Sequence, residues 1–203
     1  MKPAPPVIST RTTGNASLAA VERCGWATSA PEYVTYHDEE WGVPLHGDDA
    51  LFERVSLEAF QSGLSWITIL RKRPAFRAAF AGFAIDAVAD FGEDDVERLM
   101  ADAGIVRNRA KIVAAIGNAR AAQRVDGGLG DLLWSYAPDG PRTRPRTLAE
   151  VPATSPESVA MAKELKRRGF SFVGPTTAYA LMQATGMVDD HVVTCFRADP
   201  DAR

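Results

Sequence analysis

The chain is poor in the residues that build covalent or metal frameworks: 203 residues contain two cysteines and three histidines. Two cysteines argue against a disulfide scaffold, so in a reducing compartment they are free thiols or ligands. Base is not in excess either, with 23 Lys+Arg against 26 Asp+Glu and a net charge of −3, which argues against a protein that coats nucleic acid through a uniformly basic surface. No uninterrupted apolar run approaches a membrane span, and the N-terminus lacks the apolar core of a signal peptide, pointing to a cytoplasmic protein with no membrane partner. Convincing period-two alternation is missing, as is any repeat beyond paired helices around glycine turns. There is no CxxC pair.

What is present reads as helix, and the class is all-α. Residues 1–17 are rich in Pro, Ser, Thr and Gly without apolar periodicity, so 1–19 is expected to be a disordered leader and 20–203 a single helical domain. Val96, Leu99, Met100 and Ala103 recur at helical spacing, with Gly104 placed as a left-handed stop. Ile112, Ile116 and Ala119 continue the stripe on the next helix. GGLGD and residues 137–147 read as loops around a short aromatic helix.

Ser155 is a helix N-cap, Pro156 occupies the first helical position, and Gly169 ends that helix. The turn FSFVG follows, and Pro175 starts another helix ending near Gly186. Gly169 and Gly174 would let this hairpin turn tightly and approach a ligand, with N–H groups free to face a phosphate. A plain αα-hairpin has the same spacing; Lys166, Arg167 and Arg168 on the rim favour DNA. Basic residues also gather at 71–73 and 107–111, and acid at 37–40 and 93–97, which taken singly read as solvated helix faces.

Cys24 and His37 flank twelve residues, and His191 and Cys195 flank three. Together they make a Cys2His2 set suited to structural zinc, although buried thiols and hydrogen-bonded histidines are the alternative on spacing alone. His37-Asp38-Glu39 also matches the H-x-E of zinc deaminases. Those require a Pro-Cys-x-x-Cys partner, and four protein ligands leave no position for water, so that reading fails.

ERCGW (22–26), YHDEEWGVP (36–44), LFERVSLEAFQSGLSWITIL (51–70), GIVRNRAKIVAAIGNARA (104–121), LKRRGFSFVG (165–174) and DDHVVTC (189–195) together resemble the 3-methyladenine DNA glycosylase I family of the helix-hairpin-helix glycosylase superfamily. The resemblance covers nearly everything after the leader. It implies a helix-hairpin-helix glycosylase fold, one structural Zn2+ per chain held by Cys24, His37, His191 and Cys195, and excision of 3-methyladenine, and of 3-methylguanine if the lesion range extends so far, from double-stranded alkylated DNA. It places base recognition on Glu58, stacking on Trp66, a pocket tyrosine at Tyr36 and a further pocket aromatic at Trp26, with Glu58 and Tyr36 forming the catalytic set. These residue types suit such chemistry. A base must be flipped, stacked on an aromatic face and read at its edge, and a carboxylate with π faces favours a cationic N3-methylated purine over neutral adenine. Taken singly, Trp66 would be core and Glu58 a surface residue.

Most glycosylases of the superfamily place an aspartate in a V-D-x-H context, whereas the family resembled commonly has asparagine there. This chain reads Val188-Asp189-Asp190-His191. Asp189 is expected to cap the HVVTC turn rather than to act in catalysis. No lysine matches a Schiff-base position, so a monofunctional, monomeric enzyme without strand cleavage is expected. Leu64, beside Gly63 in a turn between helices, is the candidate wedge for the vacated stack. The alternative from another class is a non-catalytic zinc-stapled DNA-binding module that senses alkylated bases.

Overall fold

The computed structural model describes residues 21–140 and 143–198, so the expected leader lies outside the described residues. Among these there are nine α-helices, three short 3-10 turns and no strand. No described helix is long and apolar enough to cross a membrane.

The helices are α1 (Pro31–Glu39), α2 (Asp48–Gln61), α3 (Trp66–Ala79), α4 (Ile85–Ala89), α5 (Glu93–Ala101), α6 (Arg109–Ala122), α7 (Leu129–Trp134), α8 (Pro156–Arg167) and α9 (Pro175–Ala184). α2 is buried almost all round, which places it at the centre. It packs on α3, α6, α7 and α9, while α8 lies along α9 and α4 along α6. Phe52, Phe60, Phe76, Phe80 and Phe83 fill the core between them. Because α2 is enclosed by neighbours, any polar group on it is withdrawn from water; Arg54 and Glu58 are both buried there, one turn apart.

The hairpin has the expected caps. Ser155 accepts the Ser158 N–H and Ser158 Oγ accepts the Ser155 N–H, starting α8 at Pro156. Gly169 follows with φ +96°, a conformation that favours glycine. The turn is pinned from α6, where buried Asn118 donates to the Ser171 carbonyl and accepts its N–H.

One expectation fails. Gly104 is not left-handed: α5 ends because Asp102 is extended and its carboxylate accepts the Gly104 N–H at 2.7 Å. Glycine is required there by contact, since a Cβ would lie 2.9 Å from the Ala75 Cβ. HVVTC is an irregular turn followed by the 3-10 turn Phe196–Ala198, and Asp189 caps HVVTC as expected, its Oδ1 accepting the His191 N–H at 3.3 Å.

The basic clusters at 71–73 and 107–111 are largely structural. Arg71 pairs with Glu32, Arg73 with Glu40, and Arg109 with Glu93 and Glu97. Lys72 donates to the carbonyls of Ala103 and Gly104, and buried Lys111 to those of Phe60 and Ser62 at the end of α2.

Segment 42–45 crosses the end of α9 so closely that Gly186, at φ +73°, would carry a Cβ 2.6 Å from the Pro44 nitrogen. The Gly42 N–H donates to the Gln183 carbonyl and the Leu45 N–H to that of Thr185. Gly186→Ala combines backbone strain with a collision against main chain, so a loss of about 2–4 kcal/mol is expected. Denaturant melts of the two proteins check it; a loss below about 0.5 kcal/mol would mean that this crossing relaxes freely.

Candidate active site and metal site

α1 divides two roles between adjacent residues. It carries Tyr33, Tyr36 and His37, with Glu40 just past its end, and one residue step separates the tyrosine that lines a cavity from the histidine that turns to the chain ends. The cavity encloses about 620 Å³. Its walls include Trp26, Tyr33, Tyr36 and Trp41 from the N-terminal segment and Glu58 and Gln61 from α2. Trp66 opens α3, Ala180 and Gln183 come from α9, and Leu148 and Val151 come from the loop before α8.

All four residues expected to bind a base therefore line one cavity. Trp66 stands 5.5 Å from Tyr36, centroid to centroid, and Trp26 is 6.3 Å from Tyr36. The Trp66 Nε1 is buried without a hydrogen-bond partner. Glu58, 5% exposed, has no hydrogen-bond partner among the described residues. Burial pushes its carboxyl up to about 8, with the Arg54 charge opposing. Tyr36 is raised above the usual phenol range by burial and then by the Glu58 charge.

Behind Tyr36 lies a group the sequence did not announce. Glu40 accepts from Arg54 and, at 2.6 Å on each oxygen, from Arg73. Burial works against the Glu40 charge, but hydrogen bonds from Arg73 and Arg54 hold its carboxyl down at about 2. The Arg54 guanidinium carbon sits 5.7 Å from the Tyr36 ring centroid, so the tyrosine is backed by a fixed cation. Trp41, Gln61, Gln183, Leu148 and Val151 were also missed. Trp41 lay inside YHDEEWGVP and Gln61 inside LFERVSLEAFQSGLSWITIL, neither carrying chemistry of its own; the others arrive from separate segments.

The metal half-sites meet. Ligand atoms of Cys24, His37 and Cys195 lie within 4.8 Å of one another, all three residues buried. His37 Nε2 is 3.4 Å from Cys195 Sγ and also takes the Cys24 N–H at 3.4 Å. His191 is outside that trio, but its ring centroid is 5.0 Å from that of His37. Its Nε2 is buried with no partner. Both histidines face a carboxylate through Nδ1, Asp38 at 2.8 Å and Asp189 at 2.9 Å, the arrangement that turns Nε2 toward a metal. Burial, against the Asp38 bond, lowers the His37 pKa, and burial, reinforced by Cys195, pushes the Cys24 thiol up to about 12. Two imidazoles and two buried cysteines with one orphaned nitrogen fit a soft divalent cation, which would bind the sulfurs as thiolates. Glycine is needed here too, since a Cβ on Gly42 (φ +76°) would stand 2.7 Å from His191 Cε1.

The remaining expected residues sit on the surface. Leu64 is 39% exposed in the turn after α2, between the cavity residues Gln61 and Trp66, and Gln61 donates to its carbonyl. Arg167 and Arg168 both pair with Glu164, while Lys166 makes no ion pair among the described residues. Gly174 precedes α9 at φ −86°, with nothing within 4 Å of a Cβ built on it, so open space rather than turn geometry distinguishes it.

Residues 26–198 match the model of the methyladenine glycosylase family. DNA-3-methyladenine glycosylase 1 of Escherichia coli (strain K12) is 50% identical over 179 residues, spanning 86% of this chain and 96% of that protein. The crystal structure of a 3-methyladenine DNA glycosylase I is similar with a TM-score of 0.83 at 46% identity, covering 86% of this chain and 98% of that one. A tyrosine-to-phenylalanine variant of 3-methyladenine DNA glycosylase I in complex with 3-methyladenine gives a TM-score of 0.81 at 33% identity, covering 86% and 96%. The aromatic cavity with its buried glutamate thus sits in a helical chain that belongs to the methyladenine glycosylase family.

Proposed function

We propose that this chain is a DNA repair glycosylase that takes 3-methyladenine out of the duplex stack and hydrolyses its N-glycosidic bond, initiating base excision. The observation that carries this reading is the unpartnered carboxyl of Glu58 at the wall of an aromatic cavity large enough for a purine. A purine methylated at N3 is cationic while bonded to the sugar, and it leaves neutral, taking the electron pair of the C1′–N9 bond. Water adds at C1′ and releases a proton. Because the leaving group is already activated, binding and positioning supply most of the acceleration. Trp66 stacks on the base, Glu58 reads its edge and offsets its charge, and Tyr36 adds a polar contact. Trp26 closes the aromatic wall. Hydrolysis proceeds without strand cleavage, and the Lys111 ammonium, at the end of α2, is engaged by the carbonyls of Phe60 and Ser62. The relative bound to 3-methyladenine supports the assignment of the ligand. A structural Zn2+ at Cys24, His37, His191 and Cys195 would tie the two ends of the fold, working as a monomer in the cytoplasm.

Incubating alkylated duplex DNA with the protein and separating the released bases tests this directly. Free 3-methyladenine with an intact abasic strand is the expected product. Tight binding of alkylated DNA without any released base would instead identify a non-catalytic sensor.

DNA is met by the hairpin at 169–174, with its backbone N–H groups and Lys166 on phosphates and Arg167 and Arg168 able to exchange Glu164 for them; Leu64 enters the vacated stack. Since Gly174 has room for a side chain, Gly174→Trp should fold normally yet hold the backbone away from DNA. Affinity for any duplex should fall about tenfold or more, with a shallower salt dependence, as measured by fluorescence anisotropy. Unchanged affinity in the folded variant would put the DNA face elsewhere.

A further inference from the structure

We propose that Asp189 is a positioning residue of the cavity: through Arg144 it holds the segment carrying Leu148 and Val151 over the base, and through His191 it ties that wall to the metal-ligating end of the chain. This rests on the reading of the cavity as a base pocket. Both carboxylate oxygens of Asp189 are committed. Oδ1 accepts from His191 Nδ1 at 2.9 Å and Oδ2 pairs with Arg144 Nη2 at 2.7 Å. A main-chain bond runs parallel, the Val193 N–H donating to the Pro145 carbonyl at 3.0 Å. The loop therefore leaves the metal-ligating turn already fixed at residues 144 and 145, three residues before it supplies Leu148.

Packing does not explain where Leu148 sits. It is 41% exposed and belongs to neither buried cluster, although its Cδ1 passes 3.6 Å from the place of a Cβ on Gly25. Within the loop, the Arg146 N–H bonds Glu150 at 2.7 Å, which gives residues 146–150 a shape but not a location. Location comes from the Arg144–Asp189 pair and its backbone neighbour at one end, and at the other from Val151, which packs against the main core. Leu148, which neither cluster packs, is the part of the wall whose distance from Trp66 and Trp26 depends on those ties. Asp189 itself does not line the cavity, so its effect reaches the base through Leu148 and Val151.

The test compares Arg144→Met, Arg144→Lys and Asp189→Asn with the unsubstituted protein. The readouts are affinity for free 3-methyladenine by tryptophan fluorescence, metal content, single-turnover release from alkylated duplex, and amide hydrogen exchange across 146–151. Asparagine can still accept from His191 Nδ1, and Arg144 touches no ligand, so metal should be retained in both. Base affinity should fall about threefold to tenfold in Arg144→Met and Asp189→Asn, recover mostly in Arg144→Lys, and fall no further in the double variant. Exchange across 146–151 should quicken in both, with or without a base. Unchanged affinity and exchange in Arg144→Met would overturn the tether. So would normal affinity with abolished release in Asp189→Asn, because the carboxylate would then act on the reaction itself. If the unsubstituted protein neither binds nor releases 3-methyladenine, the base-pocket reading fails, and the exchange data still decide whether the tether exists.

Discussion

Cys195→Ala is expected to abolish zinc binding at the proposed Cys24, His37, His191 and Cys195 site and to cost about 4–5 kcal/mol of stability. The scale follows from what the two jaws join. Cys24 and His37 stand near the beginning of the described chain and His191 and Cys195 near its end, so a bound ion closes a loop that contains nearly the whole fold. A cross-link over a loop of that order removes roughly 4–5 kcal/mol of chain entropy from the unfolded state. Zinc-finger peptides, which have no other core, set a ceiling of ~10–16 kcal/mol, and this chain falls below it because its phenylalanine-rich core exists independently. No ligand lines the cavity, so bond cleavage should survive at temperatures where the variant is folded, while base affinity softens through Asp189. Elemental analysis and thermal melts with and without chelator check this. Protein purified without chelator and found free of metal would sink it.

The metal site also shows where sequence reading stops. The donor set can be assembled from residue type and family resemblance, yet neither gives the carboxylates that orient the imidazoles. Asp38 follows His37 directly and Asp189 precedes His191 by two, positions that equally suit a helix face or a cap. Only the fold turns each carboxylate onto an Nδ1. Local chemistry was legible where it is decided locally: Ser155, Pro156 and Gly169 bound α8 as their own conformational preferences require. Gly104 failed because its constraint is a neighbour in space, Ala75, rather than its own φ. The basic runs at 71–73 and 107–111 are in part the exposed helix faces expected. Their partners Glu32, Glu40, Glu93 and Glu97 could not be read because they are remote in the chain from most of the residues they neutralise. Cavity walls contributed by α9 and the 148–151 loop carry no signature at all; Gln183, Leu148 and Val151 are ordinary residues placed by tertiary packing.

Glu58→Gln should weaken binding and excision of 3-methyladenine by about 1.5–3 kcal/mol, the worth of a charged hydrogen bond, and should abolish their pH dependence. In the empty cavity burial holds the Glu58 carboxyl at about 8, so near neutral pH most molecules carry it protonated. A cationic base favours the carboxylate, and its arrival below that value must release the proton. Affinity for the lesion in duplex DNA should therefore rise with pH and level off above about 8, whereas glutamine, which cannot ionise, should give a flat profile. Stability runs the other way. The folded-state value lies above the ordinary 4.5, so the stability that protonated Glu58 supports is present below that ordinary value and is lost as pH rises through about 8. Glu58→Gln should thus match the unsubstituted protein near pH 4.5 and exceed it by a few kcal/mol at pH 9, since each pKa unit is worth about 1.4 kcal/mol. A variant that is weaker in binding but stronger in folding identifies a carboxyl kept for charge rather than for packing. Trp66→Ala, by contrast, should lose about 1–3 kcal/mol of stacking at every pH. Neither change should alter metal content or affinity for undamaged duplex, because in the proposed reaction both residues meet DNA only after the base has left the stack. Single-turnover release across pH 5–9 separates the cases. Normal activity in Glu58→Gln beside a dead Asp189→Asn would move the essential carboxylate from α2 to the turn before His191.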